Sequence, residues 1–208
     1  MSLTVAFLHR YSLYVSVMLV MLVLGLCQPW SSQYFQFDRV AIASGEVWRL
    51  FSASWVHLST NHLLGNLAGM ALVAYIAGSY LNNRLGIALL FWSTAFVGIG
   101  LYLWADNLQR YVGMSGALHG LLLVAPFVSG FYSRRMAWVF FVVIVTKTLW
   151  EQTPWYDDMA LFGYIGGRVE TRSHLLGMIA GVLFLMALKY FRQQTLPADS
   201  KKESADEQ

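Results

Sequence analysis

Six stretches of this 208-residue chain carry no Asp, Glu, Lys or Arg: 11–28, 61–83, 85–105, 111–133, 136–146 and 173–188. A helix needs roughly 20 predominantly apolar residues, at about 1.5 Å each, to cross the hydrocarbon of a bilayer. Only structures that satisfy every backbone polar group internally are tolerated there. The fifth stretch approaches that length by taking in Lys147 near its outer end, and the sixth by starting at its polar flank, 168–172. The pattern therefore predicts an all-α membrane protein, a bundle of six transmembrane helices. Composition agrees, with 57% hydrophobic and 12% charged residues where a soluble domain carries roughly 25% charge.

The first stretch is too long for the apolar core of a signal peptide, and no small-x-small cleavage site follows it, so it reads as an uncleaved helix. Cys27 is the single cysteine, which excludes an intrachain disulfide and a thiolate metal cluster. Residues 1–196 read as one transmembrane domain and 197–208 as a polar, disordered cytoplasmic tail. Six helices place both termini on one side, together with Arg10, Arg84, Arg134, Arg135, Lys189, Arg192, Lys201 and Lys202; the other side holds Arg39, Arg49, Arg110, Lys147, Arg168 and Arg172. The excess of basic residues places the termini in the cytoplasm. The net charge of +3 is scattered over loops and does not suggest a nucleic-acid partner.

Against this background the ionisable and hydroxyl residues inside the uncharged stretches stand out, because such side chains are costly in a membrane and mark function. Ser115 lies in Gly113-Met114-Ser115-Gly116-Ala117-Leu118-His119-Gly120, and two other stretches carry His62 and His174. With the termini inside, helices two, four and six all start on the outer side. His62, Ser115 and His174 then lie roughly 5 to 10 Å below the outer surface at 1.5 Å per residue. His62 and Asn66 share a helix face, as do Ser115 and His119, and His174, Gly177 and Gly181. Gly116-x-x-x-Gly120 and Gly177-x-x-x-Gly181 are small-x-x-x-small patterns that let two membrane helices pack backbone to backbone. A serine nucleophile and a histidine base are thereby expected to meet within the membrane.

The set His57-x-x-x-x-His62-x-x-x-Asn66, Gly113-x-Ser115-Gly116 and His174-x-x-Gly177, preceded by Trp48-Arg49, resembles the rhomboid intramembrane serine proteases over about residues 45–190. The short chain without an added domain and the Ser-Gly-x-Leu-His-Gly form resemble the rhombosortase branch. That resemblance implies a bacterial inner-membrane enzyme opening to the periplasm. Its substrates would be membrane-anchored secreted proteins bearing a glycine-rich C-terminal sorting tail, a transmembrane segment and a basic end. A general rhomboid protease acting on other single-span proteins, and a non-proteolytic rhomboid-like chaperone, are the alternatives.

The chemistry fits the resemblance. A serine hydroxyl attacks when a base within hydrogen-bond reach takes its proton, and neutral His174 can serve. No carboxylate is expected at catalytic depth to orient the imidazole, so a Ser115–His174 dyad is expected rather than a triad. His119, one turn below Ser115 where many rhomboids carry tyrosine, is the candidate to orient His174. By resemblance, the His62 side chain, the Asn66 amide and the Ser115 backbone N–H stabilise the oxyanion, and Ser59, Thr60 and Asn61 rim a water-filled cavity. His57 is expected to brace the outer loop with Glu46 or backbone groups, and Trp48 and Arg49 either match the family pattern or anchor the interface. Residues 151–168 read as a mobile outer loop that gates substrate access. A metalloprotease would draw on the histidines as ligands, but there is no His-Glu-x-x-His and no carboxylate is expected at their depth. An aspartyl protease lacks its two intramembrane aspartates, and a transporter lacks internal repeats. No cofactor or metal is called for; the expected partners are the lipid bilayer and the anchored substrate.

Overall fold

A computed structural model describes residues 9–82 and 84–194; the expected tail at 197–208 lies outside the described residues. A long helix occupies each of the six apolar stretches: α1 (Ser12–Leu26), α2 (Thr60–Ala77), α3 (Arg84–Trp104), α4 (Ser115–Val128), α5 (Arg134–Trp150) and α6 (Thr171–Gln194). By length and composition three segments can cross a membrane, Thr60–Leu81, Arg84–Trp104 and Thr171–Phe191, while Ser12–Leu26 and Ser115–Val128 are shorter apolar helices.

Helix starts follow local chemistry. The Ser59 hydroxyl accepts the His62 N–H at 3.2 Å, and Ser133 accepts the Met136 N–H at 3.3 Å, so each satisfies one of the four orphan donors of a helix N-terminus. The far end of α3 is closed by a cation. The Arg39 guanidinium donates to the carbonyls of Leu101, Tyr102, Ala105 and Leu108 at 2.9 to 3.0 Å, which satisfies orphan carbonyls and opposes the helix dipole.

α4 is the centre of the bundle, buried from Gly116 to Leu121 and again from Leu123 to Pro126. It packs most extensively on α6, then on α2, α3 and α5. The other helices turn large apolar side chains outward, among them Leu19, Leu72, Phe91, Val142 and Met186, as a protein solvated by lipid does. The main core runs between α1, α2, α3, α4 and α6 through Met21, Met70, Leu89, Leu123 and Met178. A smaller cluster of Phe37, Val97, Leu101, Tyr111 and Leu176 closes the end at which α3 finishes and α4 and α6 begin.

Two features depart from the sequence expectation. The fold is not purely helical, since Phe37–Asp38 (β1) pairs antiparallel with Arg110–Tyr111 (β2). α4 accordingly starts at Ser115 instead of near Tyr111, because the residues before it are held in that pairing and by the Gly113 N–H bond to the Ala53 carbonyl at 2.9 Å. Ser115 is thereby the first residue of the central helix.

Candidate active site

The glycine patterns determine how close α4 and α6 come. A Cβ added at Gly177 would overlap the Gly116 carbonyl, and one at Gly120 would lie 2.7 Å from the Gly177 carbonyl. One at Gly116 would meet the Ser173 carbonyl at 2.8 Å, and one at Gly181 the Gly120 carbonyl at 2.9 Å. At that backbone separation the two short side chains meet, with Ser115 Oγ 3.0 Å from His174 Nε2. His174 is buried and Ser115 half-buried.

On the far side of Ser115 the chain turns through Gly113 at φ +116°, a conformation that glycine adopts without steric cost. A Cβ there would also stand 2.7 Å from Cε1 and Nε2 of His62 and 3.8 Å from the Asn66 amide nitrogen. His62 and Asn66 therefore lie against the turn that delivers Ser115. The buried Asn66 amide donates to the His62 carbonyl at 3.1 Å.

The rest of the site overturns the expectation that no carboxylate lies at the depth of His174. Glu151 is buried, its side chain 3% exposed, and its Oε2 accepts from His174 Nδ1 at 2.9 Å. α5 extends to Trp150, past the end of the uncharged stretch, so the carboxylate stands at the C-cap of α5 and points inward instead of belonging to an outer loop. Lys147, one turn earlier, donates to Glu151 Oε1 at 2.7 Å and to His119 Nε2 at 2.6 Å. His119 Nδ1 in turn lies 2.7 Å from the Ser115 carbonyl, and its ring stacks on His174 at 4.2 Å and 19°.

These five hydrogen bonds close a cycle, and the obligate roles of its members fix both imidazole tautomers. A backbone carbonyl only accepts and an ammonium only donates, so His119 carries its proton on Nδ1 and accepts on Nε2. A carboxylate only accepts, so His174 carries its proton on Nδ1 and leaves Nε2 free to accept from the Ser115 hydroxyl. Burial pushes the Glu151 carboxyl up, but the hydrogen bonds from His174 and Lys147 and the Lys147 ammonium charge outweigh it and hold it at about 2.

The same carboxylate removes the argument by which a metal was set aside, because ligand atoms of His119, Glu151 and His174 lie within 4.8 Å of one another. Lys147 bears on that possibility. Its ammonium bridges His119 Nε2 and Glu151 Oε1, the electron pairs that a metal would need.

Other expected residues take different places. His57 does not pair with Glu46; the Glu46 carboxylate binds Arg49 at 2.7 Å. The His57 ring is fully buried, edge-on to His62 at 5.2 Å, and neither ring nitrogen has a partner among the described residues. Burial, with His62 beside it, lowers its pKa to about 3. Only its backbone carbonyl braces the loop, accepting from the Gln28 side chain. Arg49 is not an interfacial anchor but a buried tie, donating to the carbonyls of Gln33 and Gln36 at 3.1 and 3.0 Å, while Trp48 is half exposed with its indole N–H on the Tyr34 carbonyl. Ser59 and Asn61 donate to the carbonyls of Ile165 and Tyr164 at 2.8 and 3.1 Å, so two of the three expected rim residues tie the 151–168 segment across the start of α2.

Glu151 and Lys147 are the site residues that sequence reasoning missed. The available signal was the i, i+4 spacing of a Lys and a Glu at the C-terminal end of the fifth helix.

Comparison with known proteins identifies the family. The model described as the Rhomboid domain matches residues 44–191, and the chain belongs to that family. It is 27% identical over 172 residues to the Arabidopsis thaliana "RHOMBOID-like protein 1", covering 77% of this chain and 41% of that protein. It is 28% identical over 149 residues to the Bacillus subtilis (strain 168) "Putative rhomboid protease YdcA", covering 70% of this chain and 69% of that protein. The chain thus spans about two fifths of the plant relative's length.

Proposed function

We propose that this chain is an intramembrane serine endopeptidase in which Ser115 is the nucleophile and His174 the base. The observation that carries the reading is the 3.0 Å contact between Ser115 Oγ and His174 Nε2 at the start of the buried central helix. His174 takes the hydroxyl proton on Nε2 as Oγ bonds to the substrate carbonyl carbon, and gives it to the leaving amine as the C–N bond breaks. Water then attacks the acyl-enzyme, the same histidine taking its proton and returning it to Ser115. The oxyanion of each tetrahedral intermediate is met by the His62 ring, the Asn66 amide and the N–H groups of the first turn of α4, which have no intrahelical partner.

In this reading all six long helices lie across the bacterial inner membrane with the termini cytoplasmic, and the site opens to the periplasm. α4 has 14 residues, about 21 Å at 1.5 Å per residue, against a hydrocarbon core of about 30 Å. A central helix that short starts below the outer surface, where a scissile bond within or beside a transmembrane segment can reach it. Ser115-Gly116 followed by Leu118-His119-Gly120 favours the rhombosortase branch, with substrates carrying a glycine-rich C-terminal tail.

The test is co-reconstitution in liposomes with a single-span substrate ending in a glycine-rich tail, a transmembrane segment and a basic end, with mass spectrometry of the products. The tail substrate is cut near its glycines by the wild type and not by Ser115→Ala. Equal cutting of a single-span protein without glycines supports a general rhomboid protease instead. No cutting of either substrate, with Ser115 inert to serine-directed reagents, supports the chaperone reading.

A further inference from the structure

The Ser115–His174 pair accounts for only one of the five hydrogen bonds in the cycle, leaving Glu151 and Lys147 without a part in the reaction. Glu151 is buried with both oxygens engaged, one by His174 Nδ1 at 2.9 Å and the other by Lys147 Nζ at 2.7 Å. Lys147 reaches out through its ammonium to hold His119, which stacks on the His174 ring. Removing Lys147 would leave the carboxylate anchored through one oxygen and His119 without its donor.

We propose that Glu151, held by Lys147, is a positioning residue for His174, so that this protein works with a Ser–His–Glu relay instead of a serine and histidine alone. The proposal rests on the protease reading above and adds the element that sets the tautomer and orientation of its base. A buried carboxylate on Nδ1 keeps the proton off Nε2 before attack, and its negative charge stabilises the imidazolium formed during attack. The charged and titratable groups facing His174 are His62 from α2, His119 from α4 and Glu151 from α5, with Lys147 behind Glu151. Glu170 and Arg172, at the start of its own helix, pair with each other. Among the described residues, Glu151 is thus the one anion in contact with the ring.

The experiment follows the rate at which a fluorophosphonate probe acylates Ser115 in the full chain in detergent, as a function of probe concentration, normalised to folded protein. Glu151→Gln keeps the shape and removes the charge; Glu151→Asp keeps the charge and shortens the reach. A positioning carboxylate predicts that Glu151→Gln lowers the maximal acylation rate by roughly 10²-fold or more with little change in the half-saturating probe concentration. It also predicts that Glu151→Asp retains more of the rate than Glu151→Gln.

A merely structural Glu151 predicts the reverse order, the near-isosteric Gln outperforming Asp, and that result overturns the proposal. If Glu151→Gln does not accumulate folded, Lys147→Met carries the test: about a tenfold lower rate, largely restored in Lys147→Arg, is expected, and a wild-type rate overturns it. Loss of wild-type labelling on chelation, restored by added zinc, also overturns it in favour of a metal at His119, Glu151 and His174. Failure of the protease reading looks different, since the wild type itself is then not labelled at Ser115.

Discussion

At the scale of single residues, the site separates groups placed to act on the reacting atoms from groups that hold the chain. His62 and Asn66 lie against Gly113, where preorganised donors would face the developing oxyanion. His62→Ala and Asn66→Ala are each expected to lower turnover by roughly 10² to 10³ with the thermal transition nearly unchanged. His57, fully buried with unpartnered ring nitrogens, belongs to the second group, so His57→Ala should lower the melting temperature while activity per folded molecule persists. Parallel melting curves and assays on the three variants check this division.

Glu151 adds a pH dependence whose sign is fixed by its surroundings. Its folded carboxyl is held at about 2 against an ordinary 4.5. The stabilisation is therefore present above the unfolded value and is lost as pH falls from about 4.5 towards 2. Over that window the melting temperature of the wild type should fall more steeply than that of Glu151→Gln. Parallel slopes would remove the carboxylate from the ledger of acid stability.

Among the elements, α4 and α6 decide whether the site exists. Their glycines place backbone against backbone, and Gly177 has no room for a Cβ beside the Gly116 carbonyl. Gly177→Leu should force the helices apart, costing roughly 1 to 3 kcal/mol from overpacking and lengthening the Ser115–His174 contact. Circular dichroism should show the helices retained while labelling of Ser115 is lost. Gly65, whose added Cβ meets nothing within 4 Å, supplies the control: Gly65→Ala should label like the wild type.

Elements also show what a sequence can and cannot reveal. Ser115, His62 and His174 stood out because each interrupts an uncharged stretch, where an ionisable side chain has to be explained. Lys147 and Glu151 did not, because charges at the end of an apolar stretch are ordinary at a membrane interface, and nothing local says that one of them folds inward. The β1–β2 pairing joins segments more than 70 residues apart through two residues each, too few to produce an alternating pattern. The contact of Ser59 and Asn61 with the 164–165 carbonyls is equally long-range and involves acceptors that every residue possesses.

For the whole molecule, the arrangement is a buried central helix inside a ring of helices with apolar outer faces, with Ser115, His174 and Glu151 gathered where α4 and α6 begin and α5 ends. The helical architecture was legible because hydrocarbon permits so few alternatives, and the meeting of α4 with α6 because the glycines of both helices are spaced to match. The closed hydrogen-bond cycle was not legible, since it depends on where α5 ends relative to α6. The account stands on Ser115 being activated by His174. The most direct measurement is intact-mass and peptide mass spectrometry of the full chain after treatment with a fluorophosphonate in detergent. The account predicts one adduct, on Ser115, absent from Ser115→Ala and from His174→Ala; an adduct of equal yield in either variant would contradict it.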